Sequence, residues 1–239
     1  MEKIEKIKRP GTLQTLAYDK IKGLLITGQL ELNGIYSANH FAEILGVSRT
    51  PVREALLQLA TEGLLISVQG RGFKIKEFSE KEVRDFFEAR KMIEAYVIEH
   101  LVGVMTEKDL LELDESLEVM EENAAESDTY RFLEADNSFH MNFVHRYNNL
   151  ILESIMENIR NLISIFGQKA LGSTGRTQDV INEHQSILQA LHQKDMDKAV
   201  KSMNYHLNTT EKNLFENLKA LDDGSNDRIR ADKKMFMKG

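Results

Sequence analysis

The sequence contains no cysteine, no tryptophan and only two prolines. Without cysteine, neither a disulfide framework nor a thiolate metal site can form. Both prolines precede residue 52, and the long periodic stretches that follow predict helices. No apolar run approaches the length of a membrane span, and the opening segment MEKIEKIKRPG lacks a signal-peptide core. We therefore expect a mainly α-helical protein that resides in the cytoplasm, without a membrane partner.

Charge is divided unevenly along the 239 residues, which are enough for two domains with proper cores. Residues 1–78 carry 11 lysines and arginines against 8 acidic residues, a charge of +3, and residues 79–239 carry 20 against 30, a charge of −10. Such asymmetry can be ordinary variation. It is also typical of a DNA-binding head attached to a sensing or dimerising body.

The stretch LGVSRTPVREALLQLATEGLL, residues 45–65, has the pattern of a DNA-reading helix. Ser48 is suited to cap the helix start, and Pro51 falls in the first turn, where its missing N–H costs nothing. The residues that recur with helical spacing form an apolar face: Val52, Ala55, Leu56 and Leu59. The opposite face gathers Arg49, Thr50 and Arg53 at its first turns, as in a helix that reads DNA. Taken alone, these charges are more typical of an ordinary solvated face, and the neighbouring segments decide for DNA.

The segments on both sides of this helix complete a winged helix-turn-helix. Ser37 can cap a preceding short helix, and the Gly46 turn joins that helix to the reading helix. After Gly63, residues 65–68 and 73–76 predict two short strands. The basic turn between them, Gln69-Gly70-Arg71-Gly72, would be the tip of a wing able to reach DNA.

The pieces SRTPVREAL, EGLL and GRGF, in this order, resemble the winged helix-turn-helix of GntR-type bacterial transcriptional regulators over about residues 12–78. The resemblance implies operator contacts by Arg49 and Arg53, phosphate contacts by Ser48 and Thr50, and a wing contact by Gln69 and Gly70, with Arg71 in the same turn. It further implies a homodimer on a short inverted repeat of double-stranded DNA. Members often carry a basic residue in the helix before the turn, where this chain has Asn39, so the operator sequence does not carry over.

A second domain begins after Phe78, where Ser79 and Glu82 form a capping-box pattern at the start of a long helix. Further start and stop signals predict an all-helical bundle of about six helices over residues 79–221. The expected helices run through His100, from Thr106 to about Glu122, from Ser127 or Asp128 to Tyr147, from Leu150 to about Gln168, from Thr177 to His192, and from Asp195 to about Leu221. The stretch Gly172–Gly175 is expected to be a loop, and residues 222–239 a polar tail.

One group of side chains in this bundle could bind a metal. Asp136 and His140 are spaced i, i+4 on a single helix, so both leave the same face. His184 lies on the fifth of the expected helices and His206 on the sixth. Three imidazoles and a carboxylate could converge on one divalent ion, and such ligands choose weakly among Zn²⁺, Ni²⁺ and Mn²⁺. On pattern alone, an Asp-x-x-x-His pair is more often a surface hydrogen bond. His145 and His192 read as solvent-facing.

Residues 79–221 also resemble the FCD effector domain of the FadR-type branch of GntR regulators, in its shorter, VanR-like form. The matching pieces are FEARKMIE, DNSFHMNFV, EHQSILQAL and MNYHL. The resemblance implies that Asp136, His140, His184 and His206 bind a divalent metal. It also implies that Arg90 faces the effector pocket and pairs with an anionic ligand, although a structural ion pair of Arg90 with Glu94 is equally compatible with the sequence.

The sequence therefore predicts a ligand-responsive transcriptional regulator whose helical domain binds a metal and a small carboxylate effector. The alternative from another class is a metal-dependent hydrolase on a helical bundle, since a metal with such ligands can polarise a water molecule. A hydrolase also needs a positioned general base, and the chain contains no HExxH or similar helix motif. We expect no enzymatic activity.

Overall fold

The computed structural model describes residues 12–31, 34–171 and 175–236, with the side chains of residue 168 and of residues 220–236 left aside. The chain forms two compact units, the first ending at Glu77 and the second beginning at Phe78. This boundary lies one residue before the one we placed from the sequence. The ring of Phe78 packs against Phe86 and Phe166, with centroid distances of 5.5 and 6.0 Å, and so belongs to the second unit.

The first unit is a winged helix-turn-helix, as predicted. Its elements are α1 (Leu13–Ile26), α2 (Ala38–Leu45), α3 (Arg49–Thr61), β1 (Leu65–Val68) and β2 (Gly72–Ile75). The Ser37 hydroxyl caps α2 by accepting the His40 N–H at 3.1 Å. The predicted apolar face of α3 is fully buried, and α3 packs against α1. The reading helix is thereby fixed on its own small core.

The wing is an antiparallel hairpin in which Leu65 pairs with Ile75 and Val68 pairs with Gly72. The second strand is held near the turn by a bridge between Tyr36 and Phe73, which exchange backbone hydrogen bonds of 2.7 and 2.9 Å. Gly72 has φ +131°, and a Cβ atom there would lie 2.4 Å from the carbonyl oxygen of Tyr36. The close approach of these two backbone segments therefore requires glycine at this position.

The second unit is an all-helical bundle. Its elements are α4 (Glu80–Leu101), α5 (Glu107–Ala125), α6 (Thr129–Tyr147), α7 (Leu150–Ser164), the short α8 (Gly167–Ala170), α9 (Arg176–His192) and α10 (Met196–Phe236). The predicted capping box of Ser79 and Glu82 is present, and Thr106 and Asp109 form another at the start of α5. The main core lies among α4, α5, α6, α9 and α10, around buried residues such as Phe139, Ile187 and Met203.

Two helix ends differ from the sequence prediction. α7 stops at Ser164 instead of about Gln168, because Ile165 and Phe166 turn into the core before α8 begins. α10 continues to Phe236, through most of the predicted polar tail. Gly224 weakens a helix by about 1 kcal/mol relative to alanine, which does not by itself end one. Residues 172–174 of the predicted loop and 237–239 of the tail lie outside the described residues. None of the helices in the described part of the chain combines the length and apolar character that crossing a membrane needs.

Candidate metal centre and nucleic-acid interface

The first turns of α3 present the predicted DNA-contacting side chains to solvent. Ser48, Arg49, Thr50 and Arg53 are all exposed. Ser48 is the N-cap residue, but its hydroxyl makes no capping hydrogen bond, so the cap we predicted from its side chain is wrong. Within the described part of the chain, neither arginine has an ion pair or a hydrogen-bonded side-chain partner. The surface therefore carries two uncompensated cations and two unengaged hydroxyl groups.

The wing tip presents Gln69, Gly70 and Arg71 to solvent in the same unit. Gly70 takes a left-handed φ of +69°, and the N–H of Arg71 closes the turn by donating to the carbonyl of Val68 at 3.0 Å. Asn39, where relatives of the resembling family often have a basic residue, is exposed on α2. A polynucleotide lying along the first turns of α3 would thus meet hydroxyl, amide and guanidinium groups on elements anchored by backbone pairing.

The four predicted metal ligands converge inside the bundle. Asp136 and His140 come from α6, His184 from α9 and His206 from α10, and one ligand atom of each lies within 4.8 Å of the others. The three imidazoles are buried. His140 Nε2 lies 3.2 Å from His206 Nε2 and 3.7 Å from Asp136 Oδ1, which in turn lies 3.5 Å from His184 Nε2.

The Nδ1 atom of each imidazole points away from the centre and donates a hydrogen bond. His140 Nδ1 donates to Glu94 Oε2 at 2.5 Å, and His206 Nδ1 donates to Glu183 Oε2 at 2.8 Å. His184 Nδ1 donates to the carbonyl of Val180 at 2.8 Å. Because a carboxylate and a carbonyl only accept hydrogen bonds, each Nδ1 carries a proton, and the Nε2 of a neutral ring then presents a lone pair to the centre.

This arrangement of lone pairs fits a cation. The Nε2 atoms of His140 and His206 are two acceptors at hydrogen-bonding distance, and His184 Nε2 is buried without a hydrogen-bond partner among the described residues. Metal–nitrogen bonds of about 2.0–2.1 Å place adjacent ligand atoms about 3.0–3.4 Å apart. Three of the separations lie within a few tenths of an ångström of that range and all are within 4.8 Å, so side-chain movements would bring the ligands onto one divalent ion.

Three buried arginines balance the three carboxylates at and behind the centre. Arg160 Nη2 donates to Asp136 Oδ2 at 2.7 Å, while its Nε donates to Asn137 Oδ1. The other two pairs are Arg90 with Glu94, at 2.5 Å, and Arg176 with Glu183, at 2.5 and 2.9 Å. No motif in the sequence marks Arg160, Arg176 or Glu183, because the contacts of Arg160 with Asp136 and of Glu183 with His206 depend on helix packing. Glu94 was considered only as a partner of Arg90.

The same neighbours set the protonation of the centre. Burial raises the pKa of Asp136, but Arg160, His140 and His184 together outweigh burial and hold this pKa well below its usual range. Burial likewise opposes the ionisation of Glu94, and Arg90 together with His140 still lowers its pKa. Burial and the nearby His206 lower the pKa of His184, and burial lowers the pKa of His206. The site thus combines an ionised Asp136 carboxylate with neutral imidazoles at His184 and His206, the forms that bind metals.

Arg90 forms a structural ion pair with Glu94, which is one of the two roles that the sequence left open. Its side chain is 2% exposed and its Nε is held by Glu94. Its Nη2, however, is buried without a hydrogen-bond partner in the described part of the chain. The charges of Arg160 and Asp136 both act on it, so it lies beside the centre. The ion pair with Glu94 therefore leaves one donor of Arg90 unused.

The two histidines that the sequence placed at the surface lie outside this cluster. His145 pairs with Glu153 at 2.8 Å and His192 pairs with Asp114 at 3.0 Å, and about half of each imidazole side chain is exposed. These pairs differ from the buried centre in having one carboxylate each and open access to water.

Comparison with known proteins identifies both units. The profile of bacterial regulatory proteins of the gntR family matches residues 13–75, and that of the FCD domain matches residues 85–209. The Uxu operon regulator of Haemophilus influenzae is 30% identical over 209 residues, which cover 77% of each chain. The gluconate operon transcriptional repressor of Bacillus licheniformis is 26% identical over 194 residues, 78% of this chain and 79% of that one.

Solved structures agree on the fold. The structure of McbR/YncC from E. coli superposes with a TM-score of 0.73 at 23% identity, covering 87% of this chain and 99% of that one. The related proteins are transcriptional regulators and not enzymes, so the hydrolase alternative is set aside. The chain belongs to the GntR family of bacterial regulatory proteins and is a transcriptional regulator with an FCD domain.

Proposed function

We propose that this regulator is ligand-responsive. It acts in the cytoplasm as a homodimer that binds a short inverted repeat of double-stranded DNA. When a small carboxylate effector binds, the protein leaves the DNA or changes its arrangement on it. The observation that carries the sensing part is the buried cluster of Asp136, His140, His184 and His206, with three Nε2 atoms turned inward. Its role is to hold one divalent ion, Zn²⁺, Ni²⁺ or Mn²⁺, per chain.

The DNA-binding part of the proposal rests on α3 and the wing. Arg49 and Arg53 have no internal ionic partners in the described part of the chain, whereas the buried arginines of the bundle are all paired. A guanidinium left free at the start of an exposed helix is suited to the O6 and N7 atoms of guanine in the major groove. Ser48 and Thr50 would contact phosphate oxygens, and Gln69, Gly70 and Arg71 would place the wing on the neighbouring backbone or minor groove.

The dimer is proposed to form through α4 and α7. These helices pack together through Ile93 and Leu152, which lie against Met156. Their outward sides expose large apolar residues: Met92 (68% exposed), Tyr96, Ile151 (71% exposed) and Ile155. Soluble monomers rarely leave such groups uncovered on neighbouring helices. A second copy related by a two-fold axis would cover them with the same residues, and an inverted repeat demands that symmetry.

The charges around the centre support a carboxylate as the effector. Asp136, Glu94 and Glu183 are already neutralised by Arg160, Arg90 and Arg176, so a divalent ion would bring two positive charges that the chain does not offset. A small carboxylate bound at open coordination positions would supply negative charge, and the unused Nη2 of Arg90 could hold one of its oxygens. When bound, the ion would supply electrostatic attraction for that carboxylate.

The proposal is tested with the full-length protein and three measurements. Elemental analysis of the purified protein should find one divalent ion per chain. Calorimetric titration with citrate, lactate and succinate, each with and without chelator, should find carboxylate binding that depends on the ion. DNA from the gene's upstream region should be retarded more strongly than scrambled DNA at physiological salt, and the active carboxylate should change that affinity. Equal retardation of both DNAs would contradict sequence-specific DNA binding. Carboxylate binding that chelation does not affect would contradict the role of the ion in binding the effector.

A further inference from the structure

Two of the three inward-facing imidazoles are backed by a carboxylate that is itself anchored by a buried arginine. One chain of contacts runs from Arg90 through Glu94 to His140, and the other from Arg176 through Glu183 to His206. His184 differs, because its Nδ1 donates to a backbone carbonyl on its own helix, that of Val180. The structure thus contains two Arg–Glu–His chains around one centre, which we call the outer chains.

Each glutamate in the outer chains is fixed through both of its oxygens. Glu94 accepts from His140 through Oε2 and from Arg90 through Oε1, and it is fully buried. Glu183 accepts from His206 through Oε2 and from the two terminal nitrogens of Arg176, one at each oxygen. Arg176 is held further by Thr210 Oγ1 at 3.1 Å. Neither carboxylate can rotate away from its imidazole without breaking an ion pair.

We propose that Glu94 and Glu183 are positioning residues that fix the Nδ1–H tautomers of His140 and His206 before any ion arrives, and thereby set the affinity of the centre for divalent metals. The inference rests on the metal site proposed above and assigns the strength of that site to residues that do not touch the ion. A carboxylate acceptor makes the opposite ring nitrogen a stronger donor to a metal than a neutral acceptor does. Loss of such a partner typically lowers metal affinity by about 10–100-fold.

The competing explanation is that these ion pairs only hold the helices together, since Glu94 joins α4 to α6 and Glu183 joins α9 to α10. Buried ion pairs do contribute to helix arrangement, and removing one partner destabilises a protein. The two explanations differ in what they predict for the folded protein. A purely structural pair affects unfolding, whereas a positioning carboxylate affects the metal affinity of molecules that remain folded.

The first test uses the wild-type protein without metal. Nitrogen-15 NMR of histidine side chains at about pH 8 distinguishes a protonated ring nitrogen from one with a free lone pair. We expect His140, His184 and His206 all to have unprotonated Nε2 in the metal-free protein. His192 is an internal control in which we expect the proton on Nε2, because this atom faces Asp114 at 3.0 Å. An Nε2–H tautomer at His140 or His206 would overturn the proposal without requiring any variant.

The second test compares Glu94→Gln and Glu183→Gln with Glu211→Gln. Glutamine keeps the size of the side chain, but it removes the charge and replaces one of the two accepting oxygens with an NH₂ donor. Glu211 is a matched control, because it also joins α4 to α10 by pairing with Lys91 at 2.8 Å and Arg84 at 3.4 Å, away from the centre. Affinity for Zn²⁺ and Co²⁺ is measured by competition with a chromogenic chelator, and unfolding of the metal-free protein by urea.

Glu94→Gln and Glu183→Gln should each weaken metal binding by about 10–100-fold, while Glu211→Gln should stay within about twofold of wild type. If the first two variants lose stability but bind metal like wild type, the carboxylates are structural and the proposal is wrong. Should Glu94→Gln not fold, Glu183→Gln still decides, and the tautomers of the wild type remain a separate test. If the wild type binds no metal, the proposed metal site is wrong, and this result is distinct from a change of affinity in the variants.

Discussion

Arg160 donates from Nη2 to Oδ2 of Asp136 at 2.7 Å, and this hydrogen bond leaves only Oδ1 of the carboxylate facing the three histidines. The contact determines how the aspartate can act as a ligand. It also determines what an amide in its place would do, because Arg160 can only donate and would therefore turn the amide oxygen toward itself.

Asp136→Asn should consequently lose the metal even though it is nearly isosteric. The substituted side chain would present its oxygen to Arg160 and its NH₂ group to the centre, where a donor cannot bind a cation. We expect at least about a 100-fold fall in Zn²⁺ affinity, measured by chelator competition. Asp114→Asn is the control, since Asp114 also pairs with a histidine, His192, but lies at the surface. Unchanged affinity in Asp136→Asn would exclude this carboxylate as a ligand.

The metal-free protein should become less stable as the pH falls. The folded-state pKa values of His184 and His206 lie below their usual value of 6.5, so below about pH 6.5 the unfolded chain binds protons that the folded chain excludes. Glu94, Asp136 and Glu183, whose pKa values are also lowered, add a further loss below about pH 4.5. Urea unfolding with chelator at pH 7.5, 6.0 and 5.0 measures the effect. A free energy of unfolding that is constant between pH 7.5 and 5.0 would contradict it.

Arg49→Ala should weaken operator binding by about 1–3 kcal/mol if the guanidinium reads a guanine, and should leave binding to scrambled DNA nearly unchanged. If Arg49 contacts phosphate instead, both affinities should fall together and the dependence on salt should become shallower. Lys20→Ala is the control, because Lys20 is exposed on α1, the helix behind the reading helix. Gel retardation at several salt concentrations separates these cases. An Arg49→Ala protein that binds operator like wild type would remove Arg49 from the interface.

Ile151→Glu should convert the proposed dimer to a monomer, because it places a charge in the apolar surface shared by α4 and α7. Metal content should be retained, since Ile151 lies outside the centre, while operator affinity should fall with loss of the second half-site contact. Leu111→Glu on α5, at a residue 60% exposed, is the matched control and should remain dimeric. Analytical ultracentrifugation gives the result, and a dimeric Ile151→Glu protein would place the interface elsewhere.

A fragment of residues 78–236 should fold by itself, bind metal and ignore DNA. A fragment of residues 80–236 should be less stable, because it lacks the Phe78 ring against Phe86 and Phe166 and the Ser79 cap of α4. Loss of the cap alone costs about 1 kcal/mol. Circular dichroism during urea unfolding compares the two. Equal stability would mean that the boundary residues contribute nothing to the helical unit.

The sequence was sufficient wherever a local pattern carried the information. The motif around Arg49 and Arg53 predicted the reading helix, and the i, i+4 spacing of Asp136 and His140 predicted a shared face on α6. Contacts that depend on how helices pack were not predictable: Arg160 of α7 reaches Asp136 of α6, and Glu183 of α9 reaches His206 of α10. Ser48 was misjudged for a related reason, since a residue type favoured at helix caps need not use its hydroxyl there.

The contact of Gly72 with Tyr36 bears on how this regulator could acquire new operators. A side chain at residue 72 would collide with a backbone carbonyl, which cannot move aside as a flexible side chain can. Gln69 and Arg71, by contrast, are exposed at the tip of the same hairpin. Residues 69 and 71, which would face DNA, therefore tolerate substitution, whereas residue 72, which holds the hairpin in place, does not. Selection could retarget the wing by changing those tip residues without endangering the fold.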